Sequence, residues 1–137
     1  MNRLPVLSSA VLLAVAFAAC SSGPPYAGLA IESEAADSSN LLVTDQRLQD
    51  IVRFGRPKVE RVPGTNQLKV AVPILNIDDE PIQVLVQVVF QDNQRMPTGD
   101  ETPRAPLTLS PGQTIVHTVI SKQAEATDWQ LSVSWNR

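Results

Sequence analysis

The side chains that could support catalysis or metal binding are few and scattered along the chain. The sequence has one histidine, His117, and one cysteine, Cys20. A zinc or hydrolytic site normally needs several nitrogen or sulfur ligands, or a base placed beside a nucleophile. No serine lies in a G-x-S-x-G nucleophile motif. The residue inventory therefore predicts a protein that is not an enzyme, with no catalytic residue, no metal site and no cofactor.

Acidic residues cluster in two segments that the sequence predicts to be loops. Three adjacent acids occupy residues 78–80. Neighbouring acids cannot all face one ion, and EF-hand spacing is absent, so a solvated hairpin turn is favoured over a calcium site. Asp92, Asp100 and Glu101 form a second acidic group. Catalysis would require Asp92 and Asp100 to converge in a pocket, whereas a loop of this kind is also a place where a partner can bind.

The N-terminus has the composition of an export signal. Arg3 supplies positive charge, residues 4–19 are almost entirely apolar, and small residues precede Cys20. The apolar stretch is shorter than the roughly 20 residues that a membrane-spanning helix needs. A cleaved signal of an unanchored secreted protein is the remaining alternative. We expect a signal peptide over residues 1–19.

Cys20 is predicted to carry lipid. Ala18, Ala19 and Cys20 resemble the end of a bacterial lipobox, although Phe17 replaces the usual leucine. The resemblance implies a diacylglyceryl thioether on the Cys20 sulfur and cleavage before that residue. Several acyl chains give lasting membrane attachment, whereas one chain binds only marginally. Ser21, where an aspartate would favour inner-membrane retention, implies the periplasmic face of the outer membrane, or the inner membrane if this sorting rule does not apply in the host.

The segment after the anchor is predicted to be a flexible tether over residues 20–45. Residues 21–40 are rich in Ser, Gly, Pro and Ala and show no sustained period. The net charge is −3 and becomes −4 once Arg3 leaves with the signal peptide. Since the basic residues are scattered, the sequence offers no electrostatic basis for binding nucleic acid.

Residues 46–137 are predicted to form one small all-β domain. Apolar residues alternate with other residues over 68–75, 82–90 and 129–135, and another strand is predicted over 114–121. Turns rich in Pro, Gly and Asn separate these segments, which favours an antiparallel sandwich or barrel. His117 shares a strand face with Ile115 and Val119, and we expect an ordinary histidine at the surface or the end of the barrel.

Two rows of side chains are candidates for binding. Trp129 and Trp135 share a face with apolar neighbours, a pattern more typical of a core than of an exposed carbohydrate platform. The second row is polar, uncharged and moderately apolar, and it suits either a solvated sheet face or a surface that another chain covers. Its residues are Gln83, Leu85, Gln87, Val89 and Gln91.

With these elements in order, the chain resembles the YcfL-type periplasmic lipoproteins, a family of uncharacterised function with an immunoglobulin-like β-sandwich. The resemblance covers residues 48–135. It rests on an apolar strand ending in Asn76, a strand ending at residues 88–92, the Leu107-x-Leu109-x-Pro111-Gly112 turn and the Trp129-x-Leu131-x-Val133 strand. The chain departs from the family pattern at Phe90, where Trp is usual, and after Asp92, where Gly is usual. The resemblance implies a fold and a periplasmic address, and it brings no catalytic residues.

Together these features predict a lipid-anchored, non-enzymatic envelope protein that presents a β-sandwich to a protein partner. The alternative is a module that binds glycan or peptidoglycan through the tryptophan row.

Overall fold

The computed structural model describes residues 25–31 and 38–137. The predicted signal peptide over residues 1–19, the predicted lipid site Cys20, and residues 20–24 and 32–37 of the predicted tether lie outside the described residues. Within the described ranges, no helix is long and apolar enough to cross a membrane.

The described residues form eleven strands, one α-helix and a short 3₁₀ turn over Ser38–Asn40. The strands are β1 Tyr26–Ala27, β2 Leu29–Ala30, β3 Leu41–Val43, β4 Val52–Phe54, β5 Lys58–Arg61, β6 Leu68–Asn76, β7 Ile82–Gln91, β8 Pro97–Glu101, β9 Ala105–Leu109, β10 Thr114–Ile120 and β11 Asp128–Trp135. The helix, α1 Gln46–Ile51, begins where the Asp45 carboxylate accepts a hydrogen bond from the Leu48 N–H.

Two sheets make up the fold, which confirms the predicted all-β sandwich. The first, sheet A, has the order β1-β3-β11-β7-β8, and β9 also pairs with β7. The second, sheet B, has the order β10-β6-β4-β2, and β5 also pairs with β6. The sequence predicted an antiparallel sandwich. That prediction is wrong for two strand pairs, because β3 runs parallel to β11 and β2 runs parallel to β4. Both exceptions are strands of two or three residues, too short to show an alternation in the sequence.

The core lies between the sheets and follows from the period-two pattern of the long strands. Alternate residues of β6 and β7 are buried along their whole length, because successive side chains of a strand point to opposite faces. Phe54 and Phe90 are the largest fully buried side chains. Strand β7 is central in sheet A, between β11 on one side and β8 and β9 on the other.

The tether prediction is wrong for the parts of residues 20–45 that form strands. Leu41 and Val43 are fully buried in the core, and β3 pairs with both β1 and β11. A Cβ placed on Gly28 would lie 2.7 Å from ring atoms of Phe54 and 2.9 Å from the Leu41 Cβ, so this part of the segment packs tightly against the sandwich. The sandwich therefore includes residues before the predicted boundary at 46. The Ser, Gly and Ala content of the segment obscured the few apolar residues that complete the core.

Candidate functional site

The predicted partner surface lies on the outward side of the central strand of sheet A. We call its residues the β7 face: Gln83, Leu85, Gln87, Val89 and Gln91. Gln83 is exposed, and the other four are half-buried among their neighbours. The Gln87 Nε2 donates a hydrogen bond of 3.1 Å to the Thr102 carbonyl, which fixes one side chain of the face.

Small uncharged residues of the adjacent strands extend this surface. Ser134, Ser132 and Gln130 of β11 stand opposite Leu85, Gln87 and Val89. On the other side, Thr108 and Pro106 of β9 stand opposite Gln83 and Leu85. Charged residues lie toward one end, where Asp128 is opposite Gln91 and Glu101 is opposite Val89. The paired residues beside Gln83 and Leu85 are therefore uncharged, and charged residues stand beside Val89 and Gln91.

A cavity of about 370 Å³ opens where the edges of the two sheets meet. Its walls come from β8 and the connection to β9 in sheet A, and from β10 and the residues after it in sheet B. The Asp100 carboxylate, only 3% exposed, accepts a hydrogen bond from the Lys122 N–H across this opening. Within the described ranges, no group of His, Cys, Asp and Glu side chains is arranged to hold a metal ion.

His117, which the sequence predicted to be an ordinary histidine at the surface or the end of the barrel, is half-buried and lines this cavity. It is opposite Val72, an inward and fully buried residue of β6, so its side chain also points between the sheets. The Nε2 atom is buried and has no hydrogen-bond partner among the described residues. Burial lowers the pKa of the imidazole, because a charged ring is poorly solvated there.

Replacing His117 by valine is expected to raise the free energy of unfolding by about 1 kcal/mol at neutral pH, because burying an unpaired polar atom costs about 1–3 kcal/mol. The stability difference between the valine variant and the unaltered chain should grow as the pH falls. The folded-state pKa of His117 lies below its unfolded value of about 6.5, so the unfolded chain takes up the proton first and the native histidine loses stability from pH 6.5 downward. Urea unfolding at pH 7.5 and 5.5, at one protein concentration, measures both effects. Thr118→Val, an exposed change next along β10, is the control and should show no such pH dependence.

This cavity does not bring together the two acids that catalysis would have required. Asp100 lines the cavity, whereas Asp92 is not among the lining residues. The Asp92 Oδ1 accepts hydrogen bonds from the N–H groups of Gln94 and Met96, at 2.8 and 3.0 Å, and so shapes the turn after β7.

The three acids at residues 78–80 lie in the turn that joins β6 to β7, as predicted. The Asp78 N–H donates to the Asn76 side chain, and the Asp78 carboxylate accepts from the Asp79 N–H. These local hydrogen bonds stabilise the turn between β6 and β7.

The tryptophan row does not form an exposed platform. Trp129 is only 6% exposed and stands opposite Phe90 on the inward side of sheet A. Trp135 is partly buried and packs against the core. Its side-chain hydrogen bond to Asp45 is the main cause that lowers the pKa of that carboxyl. The interpretation of Trp129 as a core residue is confirmed.

The unpaired edge of β10 is a feature that the sequence analysis missed. Among the described strands, β10 pairs only with β6, through an unbroken register over all seven residues. The strand carries no charged residue, and its outward side exposes Val116 by 56% and Ile120 by 47%. A pattern of β-branched residues identifies a strand here, but it does not say which neighbour the strand lacks.

Comparison with known proteins supports the fold. The structure is similar to the crystal structure of Campylobacter jejuni cj0090, with a TM-score of 0.56 and 15% sequence identity over 71% of this chain and 98% of that one. It is also similar to a DUF1425 family member from Shewanella sp. pv-4, with a TM-score of 0.56 and 18% identity over 63% of this chain and 79% of the other. No family model and no curated protein matches the sequence. The chain therefore shares a small β-sandwich fold with these two proteins.

Proposed function

We propose that the chain is a lipid-anchored protein of the bacterial envelope that binds a protein partner through the β7 face and catalyses no reaction. Lipid on Cys20 would hold it at the periplasmic face of a membrane, with the outer membrane favoured by Ser21. The YcfL-type assignment rests on the sequence motifs and forms part of this proposal.

The observation that carries the proposal is the uncharged centre of sheet A's outward side. Protein interfaces are depleted of charged residues at their centre and have polar or charged rims. The β7 face has this arrangement, since aliphatic and serine side chains flank Gln87 along β7 and on the β11 side. Glu101 opposite Val89, and the Asp128–Arg95 ion pair, 3.3 Å between Oδ2 and Nε, lie toward one end. Strand β7 is held on both sides by neighbours, so the surface is rigid before a partner binds.

The first arm of the test addresses the anchor. Cys20→Ala in the full chain should abolish incorporation of labelled fatty acid and move the protein from the membrane fraction to the soluble fraction, because the acyl chains supply the attachment. The unaltered chain is the control. Retention of the variant on the membrane, or continued labelling, would remove the lipid anchor from the proposal.

The second arm addresses the partner. A photo-crosslinking residue at Leu85 in the full chain, expressed in intact bacteria, should capture one discrete envelope protein. The same residue at Asp79, exposed in the β6–β7 turn, is the matched control and should not. A nearby Gln83→Arg change should lower the yield from Leu85 about tenfold, because it places a charge in the interface. Equal capture from Leu85 and Asp79 would contradict the assignment of the β7 face.

A further inference from the structure

We propose that two copies of the chain pair through antiparallel contact of their β10 strands, centred on His117, to join two B sheets into one. The inference goes beyond the proposed function, since it requires neither the lipid on Cys20 nor the β7 face. It follows from the hydrogen-bonding direction, the register and the side chains of β10.

The backbone of β10 directs alternate residues to the empty side. The Ser121 N–H donates to the Leu68 carbonyl and the Asn76 N–H donates to the Gln113 carbonyl, so odd-numbered positions of this strand face β6. In an antiparallel pair, positions that face one neighbour alternate with positions that face away from it. The N–H and C=O groups of the even-numbered residues therefore point to the free edge, where no described residue pairs with them. These residues are Thr114, Val116, Thr118 and Ile120.

One antiparallel register uses all of these groups on both copies. When His117 stands opposite His117 of the second copy, Thr114 meets Ile120 and Val116 meets Thr118 in hydrogen-bonded pairs. Shifting the strands in either direction leaves at least one of the four residues without a partner from the same set. The strand is thus self-complementary about His117.

The side chains suit the same register. On the outward side, each of the exposed residues Val116 and Ile120 gains a threonine of the second copy as its cross-strand neighbour. On the inward side, Ile115 meets Val119. Cross-strand pairs of β-branched residues stabilise antiparallel sheets by about 0.2–1 kcal/mol each. The ladder ends at Thr114 and Ile120, because the Lys122 N–H is already held by the Asp100 carboxylate and the Gly112 N–H by the Asn76 carbonyl.

We choose a second copy as the partner of the free β10 edge for two reasons. The strand is complementary to itself, and its edge lacks the usual protection against pairing. Edge strands of soluble proteins are normally shielded by lysine, proline, a bulge or a covering element. Strand β10 has no lysine or proline and no bulge against β6, and the contact from β8, the Asp100 hydrogen bond to the Lys122 N–H, lies beyond its last residue. A two-fold pairing covers both unprotected edges at once and closes on itself, whereas head-to-tail addition would continue into a fibre. Because β10 carries no charged residue, its pairing with the β10 strand of a second copy places no charge opposite an uncharged side chain.

Disulfide trapping tests the register. His117→Cys combined with Cys20→Ala in the full chain, treated with diamide, should give a disulfide-linked dimer on a non-reducing gel. The two Cα atoms of a non-hydrogen-bonded pair are about 4.5 Å apart, within the roughly 4.4–6.8 Å that a disulfide spans. Cys20→Ala alone, which removes the sole cysteine of the chain, is the control and should give no dimer. Val116→Cys should trap several-fold less, because its counterpart is a diagonal neighbour about 7–8 Å away.

A proline at the free edge tests the hydrogen bonds. Thr118→Pro removes an N–H that points away from β6, so the sandwich should keep its far-ultraviolet circular dichroism spectrum. Added to His117→Cys, it should lower the dimer yield at least tenfold, whereas Thr118→Val, which keeps the N–H, should not. Light scattering of the detergent-solubilised full chain should give a protein mass of two copies. A monomer at tens of micromolar, equal trapping at residues 116 and 117, or a crosslink to a different protein would overturn the pairing.

Discussion

Replacing Asn76 by alanine is expected to lower the free energy of unfolding by about 3 kcal/mol. Asn76 is fully buried. Its Nδ2 donates to the carbonyls of Glu80 and Leu109, at 2.8 and 3.0 Å, and its Oδ1 accepts from the Asp78 N–H at 2.9 Å. Alanine leaves these groups without their partner, and each unsatisfied buried group costs about 1–3 kcal/mol. The measurement is equilibrium unfolding in urea, followed by tryptophan fluorescence.

Two further variants show whether the loss comes from these hydrogen bonds. Asn76→Asp keeps the acceptor for the Asp78 N–H but turns a carboxylate oxygen toward two carbonyls, so we expect a loss at least as large as that of alanine. Asp78→Ala, which removes only the local bond to the Asp79 N–H, should cost less than about 1 kcal/mol. A loss below about 1 kcal/mol for Asn76→Ala would show that the network contributes little.

The same residue links two of the sequence motifs in space. The strand that ends in Asn76 places this side chain between the β6–β7 turn and the end of β9. The Asn76 carbonyl also accepts a hydrogen bond of 2.8 Å from the Gly112 N–H. The first and third motifs therefore meet in space, although more than thirty residues separate them in the sequence.

The second large effect is expected at Trp129, where alanine should lower the free energy of unfolding by about 3–5 kcal/mol. The indole is almost fully buried and forms a cross-strand pair with Phe90. Truncation removes its burial and leaves a cavity in the core. Trp135→Ala should cost less, because that side chain is only partly buried. Unfolding in guanidinium chloride, followed by circular dichroism, measures both variants on the same scale.

This comparison also bears on the glycan-binding alternative. If the tryptophans formed a carbohydrate platform, Trp129→Ala would leave the stability nearly unchanged and would reduce co-sedimentation with purified sacculi. We expect instead that Trp129→Ala lowers the stability strongly, and that Trp135→Ala leaves co-sedimentation with sacculi unaltered. Trp129→Phe, which keeps an aromatic ring beside Phe90, should recover part of the lost stability.

The elements that could be predicted from the sequence are those with a long alternating pattern. Strands β6, β7 and β11 each have eight to ten residues, and their inward rows are apolar except for Asn76, the last residue of β6. The short strands β1, β2 and β3 have no such pattern. Their pairing depends on distant residues, since Leu41 pairs with Leu131 and Leu29 with Arg53. The predicted boundary at residue 46 was wrong for this reason.

The surface features likewise differ in whether the local sequence could predict them. The composition and the outward direction of the β7 face follow from alternation within one strand. The environment of His117 does not, because the cavity forms only where β10 of one sheet approaches the β8–β9 connection of the other. The free edge of β10 is likewise a property of strand order, which local sequence does not encode.

The incorporation of the N-terminal segment into both sheets has a mechanical consequence. With β1 in sheet A and β2 in sheet B, six residue steps separate Cys20 from Tyr26, a distance of at most about 20 Å for a fully extended chain. A lipid on Cys20 would therefore hold the sandwich close against the bilayer. A force applied to the lipid would act first on β1. It would then be transmitted through β3 to β11, in the interior of sheet A. The load would act along hydrogen-bonded strands, which must slide past one another before the segment comes free.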